Sequence, residues 1–133
     1  MVLRRDWMKK TLLALATVAL ALPLFGSTTK AASWHRGTPT ALRGYWKSYN
    51  RSLHHTFTYK ITKTSAYATG FDPDYIKNTR YKYLGHHYYV INGYEPLYSK
   101  KRTNRYFKWF NSHHMANSGV KGKYDRYWGN YYK

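Results

Sequence analysis

The chain has 133 residues, no cysteine and a formal net charge of +18, which suits one domain and leaves it no thiol chemistry or disulfides. Its 23 basic residues face only 5 acidic ones, so internal pairing cannot neutralise the charge and the counter-charges are expected on a partner. Few carboxylates, no phosphate-cradling glycine loop and no nucleophile elbow argue against an enzyme, and no cofactor is expected.

The N-terminus falls into three zones. Residues 1–10 carry Arg4, Arg5, Lys9 and Lys10, residues 11–26 form an uncharged apolar run of 16, and residues 27–32 (STTKAA) are small and polar. That order is the order of a secretory signal peptide, and the run is shorter than the ~20 residues of a membrane-spanning helix. Cleavage after Ala31 places Thr29 in the protease pocket that wants a small uncharged residue; cleavage after Ala32 would place Lys30 there. The expectation is a signal-peptide helix over 1–31 and a secreted β-domain over 32–133. The product would be extracellular or held non-covalently at the cell surface, without a transmembrane segment once the signal is removed. Retention of the apolar run as an anchor is the competing reading.

Beyond residue 31 the chain keeps 18 basic and 4 acidic residues, with 24 aromatic ones. Aromatic wealth argues against disorder. Short runs alternate with period two, and no helical stripe is sustained. Strands are expected at 43–49 (RGYWKSY), at 55–62 with Phe57, Tyr59 and Ile61 on one face, and at 65–69 after a tight turn. A loop at 70–74 (GFDPD) precedes strands at 79–84 and 86–92. Asn92–Gly93 reads as a turn. A short strand at 97–99, a loop at 100–104 (KKRTN), a strand at 105–110, a turn at 117–119 and a strand at 122–128 complete the chain. Seven or eight short strands predict an all-β up-and-down antiparallel barrel or meander, since closure removes exposed edges.

Residues 34–46 read W-H-R-G-T-P-T-A-L-R-G-Y-W. This stretch resembles the start of the mature chain in a group of uncharacterised small secreted proteins of lactic acid bacteria, with the pattern W-H-x-G-T-P-x-x-L-R-G-x-W. The resemblance implies a small extracellular β-domain and no particular activity. Gly44-Tyr45-Trp46 is also similar to the G-x-W that opens lipocalin-like barrels. That likeness implies that Trp46 plugs one barrel end and packs against a basic residue near the C-terminus, Lys123 or Arg126.

Basic residues interleaved with aromatic ones carry the functional expectation. Alternate side chains of a strand share a face, so one face can be aromatic core while the other presents a row of cations. Lys100, Lys101, Arg102, Arg105 and Lys108 are the leading candidates, with Arg80 and Lys82 next. Such a row attracts polyanions through many salt-sensitive contacts, and outside a Gram-positive cell these are teichoic-acid-like wall polymers or an anionic lipid surface. The reading is a secreted binding module for anionic cell-envelope polymers. Alternatives are a cationic antimicrobial or membrane-active protein, a lipocalin-like carrier of a small ligand, and a secreted ribonuclease; nucleic acid is not the favoured partner. Three His-His pairs (54/55, 86/87, 113/114) suggest a metal site, but adjacent strand residues point to opposite faces, so turns and packing explain them more simply. Asp72-Pro73-Asp74 has too few oxygens for calcium and reads as a turn.

Overall fold

The computed structural model describes residues 33–133; the expected signal peptide lies outside the described residues. Ser33–Lys133 is one compact unit. It contains nine strands: β1 (His35–Arg36), β2 (Gly44–Asn50), β3 (His55–Ile61), β4 (Ser65–Thr69), β5 (Asp74–Gly85), β6 (Tyr88–Glu95), β7 (Lys101–Asn111), β8 (His114–Ser118) and β9 (Gly129–Tyr132), with one 3₁₀ turn at Thr40–Leu42. Each of β2 to β9 pairs antiparallel with its neighbour in sequence, and β9 closes on β2 through Lys47 opposite Tyr132. The fold is therefore an eight-stranded up-and-down barrel, with β1 added to the outer half of β5.

Eight strands enclose a space that side chains just fill. Trp46, Tyr59, Ile61, Ala66, Ile76, Ile91, Phe107 and Met115 line it in a single cluster with Leu42. Tyr59 meets Phe107 and Tyr131 edge to face, at 5.4 and 5.5 Å between ring centroids. Trp46, Ile91, Phe107 and Met115 have no accessible surface, so no water-sized void touches them. Around these residues the interior is a packed core.

The antiparallel order sorts the connections between two ends. β3–β4, β5–β6 and β7–β8 turn within two or three residues at what we call the hairpin end. β2–β3, β4–β5, β6–β7 and β8–β9 run through 51–54, 70–73, 96–100 and 119–128 at the loop end.

The predicted strands at 43–49, 55–62 and 65–69 match β2, β3 and β4 closely. Several expectations fail for local reasons. Asn92–Gly93 is no turn but the middle of β6, opposite Asn104 and Thr103. Glycine is needed there because a Cβ at Gly93 would come within 2.9 Å of Ile76 Cβ and 3.0 Å of the Lys77 carbonyl. The chain reverses later, where the Glu95 carboxylate accepts the backbone N–H groups of Leu97, Tyr98 and Ser99; the expected strand at 97–99 is that turn. Residues 101–104 belong to β7 rather than to a loop, and 122–128 is irregular. β8 was not expected. The β5–β6 turn is His86–His87, both left-handed (φ 51° and 66°), in a place where a two-residue hairpin favours Asn-Gly.

The segment 119–128 crosses the outside of β7 and β8 and builds a second apolar layer. Tyr124 N–H donates to the Tyr88 hydroxyl at 2.8 Å, Tyr124 and Trp128 pack over Phe110 and Tyr88, and Ala116 beneath has no accessible surface. His114 is stacked between Phe110 and Tyr132.

Candidate functional site

Trp46 sits under the hairpin end with its indole N–H donating to the Leu42 carbonyl at 2.8 Å. The cation above its ring is Lys133, at 4.3 Å, rather than Lys123 or Arg126. The same ammonium donates to the Arg43 carbonyl at 2.8 Å. Gly44, at φ 137°, leaves the space that this side chain crosses.

The seven candidate cations divide into four groups. Arg105 turns inward on the face of Phe107 and forms a two-pronged ion pair with Asp74, at 2.8 and 2.6 Å. Hydrogen bonding to that carboxylate raises the guanidinium pKa against the opposing effect of burial. Its charge is used inside the barrel, which removes it from the surface row. Lys108 lies 4.3 Å over the Tyr88 ring and donates to the His86 carbonyl at 3.4 Å, so it belongs to the outer aromatic layer. Lys100 and Lys101 are exposed at the loop end, with Lys101 opposite Glu95.

Arg80, Lys82 and Arg102 are brought together. The Oδ1 atom of Asn92, at the centre of β6, accepts Arg80 Nε at 3.1 Å and Arg102 Nε at 2.7 Å. Arg102 also donates to the Asn78 carbonyl at 2.7 Å, and Asn92 Nδ2 donates to Asn104 Oδ1 at 2.8 Å, which fixes the amide. Arg80 and Lys82 both lie against the Trp34 ring, at 4.6 and 4.5 Å.

The rest of the site comes from residues not among those seven candidates. β1 sets Arg36 directly opposite Arg80, and the β3–β4 turn brings Lys63. Together with Gly37, Thr64, Asn78 and Thr79 they line an open cleft of about 430 Å³, which continues along Arg36, Asn78, Thr79, Arg80 and Arg102. No carboxylate lines either part. Two features shape the floor: Asn78 is left-handed (φ 50°) at a register shift in β5, and the buried Thr79 hydroxyl has no hydrogen-bond partner.

Like charges directly across a ladder oppose pairing. Arg80 and Arg102 share one acceptor atom, and at such separations two cations repel by about 1–3 kcal/mol at effective dielectric constants of 80 to 20. The arrangement can hold an anion by charge and by the forked donors of the guanidinium groups.

No family model, curated protein or solved structure matches the chain.

Functional reading therefore rests on the site itself. Among the described residues no three His, Asp or Glu side chains gather as metal ligands, and no helix is long and apolar enough to cross a membrane. The His pairs fall at or beside turns: His54 (φ 48°), His86 and His87 are left-handed turn residues. His113 Nδ1 donates to the Lys133 backbone oxygen at 2.8 Å. Trp34 and Arg36 lie in the motif residues 34–46, which implied no activity; Arg36 pairs with β5 and the Trp34 ring meets Arg80 and Lys82 only through long-range contacts.

Proposed function

We propose that the protein is a secreted binding module, not an enzyme, that holds phosphate-rich anionic polymers of the cell envelope in the cleft formed by Arg36, Lys63, Arg80 and Arg102. One observation carries this reading: Arg36 faces Arg80 across a strand pair, Arg80 and Arg102 converge on Asn92, and no carboxylate lies among them. A bound phosphate group would relieve that repulsion. A polymer that repeats the phosphate would continue onto Lys82 and Lys121, which line the neighbouring groove with Trp34 and Tyr106, and the rings offer faces for its sugars.

Two further features support a lipocalin-like barrel: the up-and-down closure, and Trp46 beneath Lys133 at one end. The packed interior favours an outer face over an internal ligand as the place of recognition. Export and an extracellular location rest on the N-terminal sequence.

The test is a pull-down of the purified protein on fractionated envelope polymers through a salt series. Retention at low salt and release through a few hundred millimolar, where the Debye length falls to ~5 Å, is the expected result. Retention indifferent to salt, or to removal of the wall phosphate polymers, would contradict it.

A further inference from the structure

A groove of about 170 Å³ lies beside the arginine cleft, on the same outer face of the sheet. The strand register places it. Arg80, Asn92 and Asn104 stand in one row across β5, β6 and β7, and Lys82, Val90 and Tyr106 stand in the next. Rows on one face are two residues apart, about 7 Å. Val90 alternates with the core residue Ile91 and so faces outward, yet it is only 5% exposed. Trp34, Leu84 and Tyr106 line the groove around it. Two contacts tie groove to cleft. The Trp34 ring lies against both Arg80 and Lys82, at 4.6 and 4.5 Å. Asn104 accepts from Asn92 at 2.8 Å and donates to the Tyr106 hydroxyl at 3.4 Å, so a hydrogen-bond chain runs from the arginines to that phenol.

On the reading of the cleft as a phosphate site, we propose that this groove takes a sugar ring of the same ligand. The polymer is then a phosphodiester chain whose repeating unit carries a sugar, not a bare polyphosphate. The groove lies one row from the arginines, within reach of a ring one linkage away from a phosphate they hold. Its lining is mixed: ring C–H groups find Trp34, Val90 and Tyr106, while hydroxyl groups find Lys82 and the Tyr106 phenol. A bare phosphate chain would leave those apolar side chains unmatched. The lining side chains also offer donors and almost no acceptor. The Asn104 carbonyl is taken by Asn92, and the Tyr106 oxygen already accepts from Asn104. Sugar hydroxyls rotate to accept, whereas the amino groups of adenine, guanine and cytosine bring donors that would go unpaired. That favours a sugar over a nucleobase. No carboxylate lines the groove. Lys121 also borders the adjoining depression that holds Asp125, so Lys82 is the cation on which the site depends.

Four probes of matched charge test this by titration calorimetry at one salt concentration: inorganic polyphosphate, oligo(glycerol phosphate), the same oligomer bearing a glucosyl group on each unit, and oligothymidylate. The parent chain is expected to bind the glucosylated oligomer about tenfold more tightly than the unsubstituted one, the effect of a single ring contact. Tyr106→Leu removes the ring and the hydroxyl but keeps an apolar side chain. It is expected to erase the preference and leave polyphosphate affinity unchanged. Tyr106→Phe keeps the ring and should lose only part of the preference, with both variants melting at the parent's temperature. Equal binding of the two glycerol phosphate oligomers by the parent would overturn the proposal, and so would a preference that survives Tyr106→Leu. Tighter binding of oligothymidylate than of the glucosylated oligomer would overturn it in favour of a nucleobase. Polyphosphate binding without any sugar preference removes the groove alone, whereas loss of binding to every probe removes the cleft and the groove together.

Discussion

At the hairpin end, connections are two or three residues long, the tips are polar, and Trp46, Leu42 and Thr38 lie beneath with no accessible surface. At the loop end, connections reach ten residues, the tips are apolar and exposed, and the ion pair of Asp74 with Arg105 takes the place of a hydrophobic plug. The two ends divide the work. Short turns over a packed core hold the barrel shut and fix the strand register, and that register places Arg36, Arg80, Asn92 and Asn104 in one row, with Arg102 reaching Asn92 diagonally. The connections at 51–54, 70–73 and 96–100 add little to the core and are free to present side chains outward, whereas 119–128 covers the outside of β7 and β8 with Tyr124 and the buried Trp128.

If stability is concentrated at the hairpin end, removing its plug should have the largest effect. Trp46→Ala is expected to cost about 3–5 kcal/mol, a large part of the ~5–15 kcal/mol available to a domain, read as a lower denaturant midpoint. A loss under about 1 kcal/mol would erase the contrast between the ends. Asp74→Ala should come next. It strands the Arg105 guanidinium inside the barrel, but the Asp74 side chain is 39% exposed, so about 1–3 kcal/mol is expected rather than the full penalty of a buried pair.

Glu95 sharpens the comparison through pH. Burial alone would raise its pKa, but the backbone N–H groups of Ser99, Tyr98 and Leu97 prefer the carboxylate and hold it below the ordinary value. A depressed folded-state pKa stabilises the turn at pH above the unfolded carboxylate's ~4.3, and that contribution is lost as pH falls through the folded value. Amide exchange at Leu97, Tyr98 and Ser99 should therefore accelerate in acid relative to the hairpin-end turns. In Glu95→Gln that acid-dependent difference should disappear. The smallest effect on stability is expected from Arg36→Gln, within about 0.5 kcal/mol and in the stabilising direction, because it removes the like charge opposite Arg80. A clear destabilisation would mean that Arg36 supports the fold and is not held in reserve for a ligand.

Much of the barrel was legible where alternation and turn chemistry agree. Phe57, Tyr59 and Ile61 do share a face of β3, although Phe57 is only partly buried, and β4 was read to the residue. The failures share a cause: a local signal overruled by a distant contact. Asn92–Gly93 looks like a turn, yet close approach of β5 demands the glycine and two arginines use the asparagine. The run 100–104 looks like a polar loop because four of its side chains face solvent, although Lys101 onward pairs with β6. In the site, alternation located Arg80 and Lys82 on one face of a strand, while Arg102 was read as part of a loop. It could not tell that Arg105 meets Asp74, 31 residues away, or that Arg36 and Lys63 come to Arg80 through β1 and a turn.

The most direct test of the cleft is the salt dependence of binding to inorganic polyphosphate, for the parent chain and for a variant combining Arg36→Gln, Arg80→Gln and Arg102→Gln. Each cation that displaces a condensed counter-ion steepens the fall of log K with log salt by somewhat under one unit. The parent is expected to show a steep line and the variant a shallower one, by about two units, with at least tenfold weaker binding at low salt and an unchanged melting temperature. Parallel lines of equal height would show that the anion binds elsewhere and would contradict the account.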